Sequence, residues 1–137
     1  MKKKLIQQVI IPFFVTILLV LLLLIGDPFI YWVSVETSLI FILPALPIIY
    51  GCIARDMVGS ALMGALSFFG FFIVTLFKAS DSPSFMRWLT SAIPFWLALI
   101  TIAGLEGYFA SQRKISSFLV ALCLYGLCIF VFLSGIH

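Results

Sequence analysis

The sequence predicts an all-α integral membrane protein, built as a single membrane domain over residues 1–137 with a bundle of five transmembrane helices. Hydrophobic residues make up 64% of the chain and charged residues only 9%, whereas a soluble domain has about 25% charged residues. The mean hydropathy of +1.31 also indicates lipid as the solvent. The apolar residues fall into runs close to the ~20 residues that a helix needs to cross a bilayer. The predicted helices cover residues 5–25, 35–54, 57–77, 88–109 and 118–136.

The first predicted helix follows three lysines at residues 2–4. Its apolar run of about twenty residues is longer than the ~7–15 residues of a secretory signal core, so we expect a retained membrane helix. Gly26 and Pro28 end it, because both residue types interrupt a helix. Ser34 is a candidate N-cap of the second helix, and Glu36 in the first turn would complement the helix dipole.

The second and third predicted helices form one run of 43 residues, from residue 35 to residue 77. A single helix of that length would be ~65 Å long, about twice the ~30 Å hydrocarbon core. The chain must therefore fold back near the middle, where Arg55 and Asp56 stand side by side. We expect this pair to form a turn at the membrane surface, with Asp56 capping the third helix.

The fourth and fifth predicted helices begin after polar segments. Residues 80–83, Ser-Asp-Ser-Pro, read as a turn in which Pro83 suits the first helical position. Ser116 or Ser117 can cap the fifth helix.

The basic residues predict the orientation, because cytoplasmic loops carry an excess of lysine and arginine. With the N-terminus in the cytoplasm and the C-terminus outside, six basic residues lie inside and two outside. We therefore expect a multi-pass protein of the cell membrane with this orientation. The predicted inside residues are Lys2, Lys3, Lys4, Arg55, Arg113 and Lys114, and the predicted outside residues are Lys78 and Arg87.

Two prolines near the centre of the second helix are candidates for a ligand-binding site. Pro44 and Pro47 each remove a backbone donor, so the carbonyl groups of Ile40 and Leu43 lose their usual partners. Helices broken in this way form binding sites in many transporters, although a proline also simply kinks a membrane helix. Both interpretations stay open at this point.

Two acidic residues, Glu36 and Glu106, are the other candidate ligand-binding residues. An ionisable residue within a membrane span is a functional candidate by default. Glu106 is flanked by Gly104 and Gly107, which could admit a ligand or a neighbouring backbone. Its distance of one to two turns from Arg113 and Lys114 in sequence also allows an ion pair at the interface.

Small residues line one face of the third helix. Ser60, Gly64 and Ser67 follow one another at helical spacing, and Gly59 extends this face. A small-xxx-small pattern lets a second helix approach closely. The partner is either a neighbouring helix of the same chain or a helix of another subunit.

Several classes of function are not indicated. The only histidine is His137, so a haem site or a histidine-based zinc site has no ligands within the spans. The cysteines have no usual metal-binding spacing, and the basic residues form no patch for nucleic acid. No catalytic triad or phosphate-binding loop is present, so we expect no enzyme, no cofactor and no metal.

Two hypotheses of function remain. The first is a non-catalytic subunit that takes part in the transport of a small solute or ion across the membrane. The second is a structural or assembly subunit of a larger membrane complex, packing through the small-residue face. A chain of 137 residues is small for a full translocation path, so both hypotheses include a homo-oligomer or other membrane subunits as partners besides the lipid bilayer.

Overall fold

The computed structural model describes residues 2–25 and 32–135, with the side chains of residues 32–37 left undescribed. Within these ranges the chain forms five α-helices, which confirms the predicted all-α class. The last residue of the fifth predicted helix, 136, lies outside the described residues. The helices are α1 (Lys2–Ile25), α2 (Trp32–Ala54), α3 (Met57–Ala79), α4 (Phe85–Ala110) and α5 (Ile115–Ser134).

Four helices, α1, α3, α4 and α5, are long and apolar enough to cross a membrane. The part of α2 whose side chains are described, Ser38–Ala54, is shorter than a full span. Large apolar side chains such as Leu5, Phe77 and Phe130 lie exposed on the outside of the bundle. Such a surface is suited to lipid and not to water, so the protein is embedded in a membrane.

The connection between α2 and α3 is the predicted turn at Arg55 and Asp56. Asp56 is the N-cap of α3, and its carboxylate accepts a hydrogen bond from the Gly59 backbone N–H at 3.1 Å. Arg55 ends α2 with a positive φ of 52°, and its N–H donates to the Gly51 carbonyl group at 3.0 Å. This is the left-handed helix ending that glycine usually provides. The reversal therefore uses Arg55 in the left-handed conformation.

The start of α2 differs from the prediction. The helix begins at Trp32, so Ser34 lies inside the helix and is not its N-cap. No acidic residue falls in the first turn, which places Glu36 beyond it. Apolar residues before a serine extend a membrane helix, because unpaired backbone groups in lipid are more costly than a lost cap.

The starts of α4 and α5 also differ from the prediction. Pro83 precedes α4, which begins at Phe85 after the N-cap Ser84, because the serines of this loop form local turns. The N-cap of α5 is Lys114, and Ser117 donates its hydroxyl to the Gln112 side chain at 2.8 Å. Neither serine predicted to cap α5 does so.

The bundle is organised around α3 and α4. Within the described residues, α3 packs against α1, α2 and α4, while α4 also packs against α2 and α5. The buried residues of both helices recur at alternating spacings of three and four, as in bundles with left-handed packing. On α4 they include Ala92, Trp96, Leu99, Ala103, Glu106 and Ala110, and on α3 Ser60, Met63, Ser67, Gly70 and Val74.

Aromatic side chains fill the part of the core around Trp96. The Trp96 ring lies 5.5 Å from that of Phe71 and 6.2 Å from that of Phe132, measured between centroids. Tilted and edge-on pairs at these distances are favourable beyond their buried area. We call this group the aromatic cluster; its members are Phe68, Phe71, Phe72, Phe95, Trp96 and Phe132.

Candidate functional site

The closest approach in the bundle is between α3 and α4, where small residues bring the two backbones together. A Cβ atom at Gly64 would overlap the Ala103 carbonyl oxygen, and one at Gly107 would overlap the carbonyl oxygen of Ser60. The contact is thus reciprocal, with a glycine of each helix facing the backbone of the other. It fixes the position of α4 at Gly107, next to Glu106.

The predicted packing residues on α3 are all buried, but they have different neighbours. Gly64 and Ser60 face α4, and the Ser67 hydroxyl donates to the Met63 carbonyl group of its own helix at 2.6 Å. Gly59 faces the turn, because a Cβ there would lie 2.5 Å from the Asp56 carboxylate and 3.0 Å from the Tyr50 ring. The face is therefore occupied within the chain.

Glu106 lies in the core of the bundle. Its side chain is 0% exposed, because it occupies a core position of α4 between Ala103 and Ala110. Neither carboxyl oxygen has a hydrogen-bond partner within the described part of the chain. A buried ionised carboxylate without a partner costs several kcal/mol, so this position requires a proton, a cation or a hydrogen-bond donor to complete it.

The possible interfacial ion pair of Glu106 with Arg113 or Lys114 is not formed. Both basic residues are exposed and lie beyond the end of α4, in the connection to α5. Since the chain leaves the helix at Ser111, the helical spacing that would bring these residues to the Glu106 face no longer applies.

Cys128 of α5 is a titratable neighbour of Glu106 in the bundle core. Its thiol is 0% exposed and lies within electrostatic range of the Glu106 carboxyl group. Among the described residues, no third histidine, cysteine or acid joins them. A structural zinc site usually has four ligands, so the two side chains together do not form one.

Pro44 and Pro47 lie in α2 at the depth of this site. α2 and α4 run in the same direction, and Gly51 packs against Ala110, where an added Cβ would lie 3.1 Å from the Ala110 Cβ. One turn earlier in each helix are Pro47 and Glu106. Pro47 is therefore level with Glu106, with Pro44 about one turn beyond.

Of the two interpretations left open for these prolines, the structure has the helix that continues through them. α2 is continuous from Trp32 to Ala54, with both prolines inside the helix and buried. The two prolines remove donors from α2 without ending it, as membrane helices tolerate. Pro44 and Pro47 line up with the buried acid but do not form a gap in the helix.

Glu36 does not share this depth. It stands eleven positions before Pro47 in α2, which is about 16 Å along a helix axis. Its side chain lies outside the described residues. At the level of the backbone, the structure therefore separates the two acidic candidates.

A basic pocket lies at the end of the bundle where α2 meets α3 and α4 meets α5. The cavity has a volume of about 370 Å³. Its floor forms because Gly51 lets the end of α4 approach, with an added Cβ only 3.1 Å from the Ser111 nitrogen. Three basic residues that the sequence predicted to lie at the cytoplasmic side meet here, namely Arg55, Arg113 and Lys114. We define the basic pocket by Arg55, Ser111, Arg113, Lys114, Ile115 and Phe118.

Comparisons with known proteins do not add to this description. The chain matches no protein-family model, and neither a curated protein nor a solved structure is significantly similar to it.

Proposed function

We propose that this chain is a non-catalytic membrane protein that takes part in the transport of a small ion or solute, with Glu106 as the group that binds the transported or coupling cation. The observation that carries the proposal is the complete burial of Glu106 with both carboxyl oxygens unpartnered among the described residues. Ionisable residues inside a membrane are costly and typically mark ion and substrate pathways. A proton is the cation that needs least space at such a site.

The proposal includes five spans with the N-terminus in the cytoplasm. α2 has 23 residues and a length of about 35 Å, which is enough to cross a ~30 Å hydrocarbon core. Glu106 is four residues from the end of α4 and so lies about one turn inside the cytoplasmic boundary in this orientation. The basic residues favour this direction.

The test of transport uses the full chain reconstituted in proteoliposomes. We expect the wild-type protein to dissipate an imposed proton or cation gradient, and Glu106→Gln to reduce the initial rate by about tenfold or more. The matched control is Asp81→Asn, which removes one negative charge from the exposed α3–α4 connection. Wild-type rates in Glu106→Gln, or no flux in the wild-type protein, would contradict the proposal.

The orientation has a separate test. In a chain with Cys52 and Cys123 replaced by serine, Ser82→Cys is expected to react with an impermeant thiol reagent added to intact cells. Ser116→Cys, which is exposed at the opposite end, is expected to react only after the cells are opened. The reverse pattern would overturn the orientation and leave the role of Glu106 standing.

The size of the chain leads us to propose that it acts as a homo-oligomer or together with other membrane subunits. The mass of the protein in a mild detergent tests this. The alternative role, assembly through the small-residue face, loses its main support because Gly64 and Ser60 already pack against α4.

A further inference from the structure

The basic pocket has a charge pattern that transport at Glu106 does not use. Arg55, Arg113 and Lys114 all line it and are all exposed. The residues that form its wall include no acid, and among the described side chains, those of residues 2–25 and 38–135, none of the three cations makes an ion pair. The nearby acid, Asp56, is committed to its cap on Gly59. The result is a cavity lined by three cations without a counter-ion from the described part of the chain.

Two backbone features add to the positive character of the pocket. α5 begins at Ile115, and its N-cap Lys114 makes no side-chain capping bond. Its first turn also has no acidic residue, so the positive end of the helix dipole at the cavity is not compensated. Arg55 is held in the left-handed region, at φ 52°, which costs about 1 kcal/mol or more in a residue that is not glycine. A glycine at position 55 would relieve this strain but would remove one of the three cations from the pocket.

The pocket also has an apolar side. Ile115 and Phe118 line it and are exposed, and they belong to α5, one of the helices apolar enough to span. A cavity of about 370 Å³ is within the usual range for small-ligand sites. An occupant with an anionic head and an apolar body would satisfy both sides at once.

We propose that the basic pocket binds a phosphate group, for which the headgroup of an anionic phospholipid is the source that the apolar side favours. Arginine and lysine donate charge-assisted hydrogen bonds to phosphate oxygens, and basic pockets between membrane helices bind lipid headgroups of this kind. The site is independent of the proposed transport role, since none of its three cations touches Glu106.

The first experiment measures thermal unfolding of the full chain in detergent with added phosphatidylglycerol or phosphatidylcholine of the same acyl chains. We expect phosphatidylglycerol to raise the midpoint more than phosphatidylcholine, and Arg113→Gln/Lys114→Gln to weaken phosphatidylglycerol binding about thirtyfold. Arg87→Gln, a charge removed from the other end of the bundle, is expected to keep wild-type binding. Equal effects of the two lipids, or an equal loss in Arg87→Gln, would overturn the proposal.

The second experiment distinguishes the source of the phosphate through Cys52, which also lines the pocket and is exposed. Phosphatidylglycerol is expected to slow its reaction with a thiol reagent, with the exposed Cys123 of α5 as the unaffected control. Protection by millimolar inorganic phosphate alone would assign the pocket to a soluble phosphate compound. Absence of protection by either compound would overturn the proposal without bearing on gradient dissipation at Glu106.

Discussion

The part of the core around Trp96 and the part around Glu106 are packed in different ways. Around Trp96 the helices are separated by large rings in favourable pair geometries. Around Glu106 the backbones of α3 and α4 touch through Gly64 and Gly107, and a carboxyl group is buried without a partner among the described residues. The first region contributes stability, and the second holds a costly group in place by close contact on both sides. The comparison distinguishes the region of the proposed cation site from the region that stabilises the fold.

The largest effect is expected from filling the contact between α3 and α4. Gly64→Ala or Gly107→Ala would place a methyl group on backbone atoms of the other helix, which rotamer changes cannot relieve. We expect a loss of about 3 kcal/mol or more in the free energy of unfolding, measured by denaturant titration in micelles. Gly126→Ala is the matched control, because nothing lies within 4 Å of a Cβ at that position. If all three variants were equally stable, the close contact would be disproved.

The second effect concerns the aromatic cluster. Trp96→Ala removes a ring that is only 6% exposed and leaves a cavity between α3, α4 and α5. In lipid there is little hydrophobic driving force between helices, so the main loss is that of van der Waals contacts in the core. We therefore expect the free energy of unfolding to fall by about 2 kcal/mol. Exposed Leu97→Ala is the control on the same helix. A larger loss in Leu97→Ala would show that Trp96 is not part of a packed core.

The third variant is expected to stabilise the protein, whereas the first two destabilise it. It therefore tests directly whether the region around Glu106 is costly to the fold. Glu106→Met keeps the approximate volume and removes a buried carboxyl group that has no partner in the described chain. We expect the free energy of unfolding to rise by about 1–2 kcal/mol while gradient dissipation is lost. The readouts are the unfolding midpoint and the proteoliposome rate. A lower midpoint would show that the carboxyl group is paired in the folded protein and stabilises it.

The smallest effect is expected at the α2–α3 turn. Arg55→Gly relieves the left-handed strain, whereas Arg55→Ala removes the same charge and keeps the strain. We expect the glycine variant to be about 1 kcal/mol more stable than the alanine variant, by thermal unfolding of the two proteins side by side. Equal midpoints would mean that the turn relaxes in both.

Local patterns predicted the helices well and their starts less well. The reversal at Arg55 and Asp56 followed from length alone, since a longer helix would leave the bilayer. The starts of α2 and α5 were misplaced, because a serine cap is worth about 1 kcal/mol and apolar residues such as Trp32 extend the helix regardless. The free energy of one cap is too small to decide where a membrane helix begins.

The burial of Glu106 could have been predicted from the spacing of residues on α4. Ala92, Trp96, Leu99 and Ala103 precede it at intervals of four and three, and Ala110 continues the series, so the acid occupies a core position of the repeat. The basic residues nearby in sequence drew attention to the interface instead. The position of Cys128 near Glu106 had no such signal, because it depends on how α5 packs against α4.

The sequence by itself determined the membrane class, the five helical segments and the place where α2 turns into α3, because these depend on composition, length and neighbouring residues. Only the tertiary structure decided which distant residues meet. Arg55 and Arg113 share a pocket because Gly51 admits the end of α4. Glu106 has no partner among the residues that the structure describes, because its helix face is turned inward. These contacts depend on how the helices pack. In lipid that packing requires a close fit between the backbones of two helices, and the sequence of one helix does not specify it.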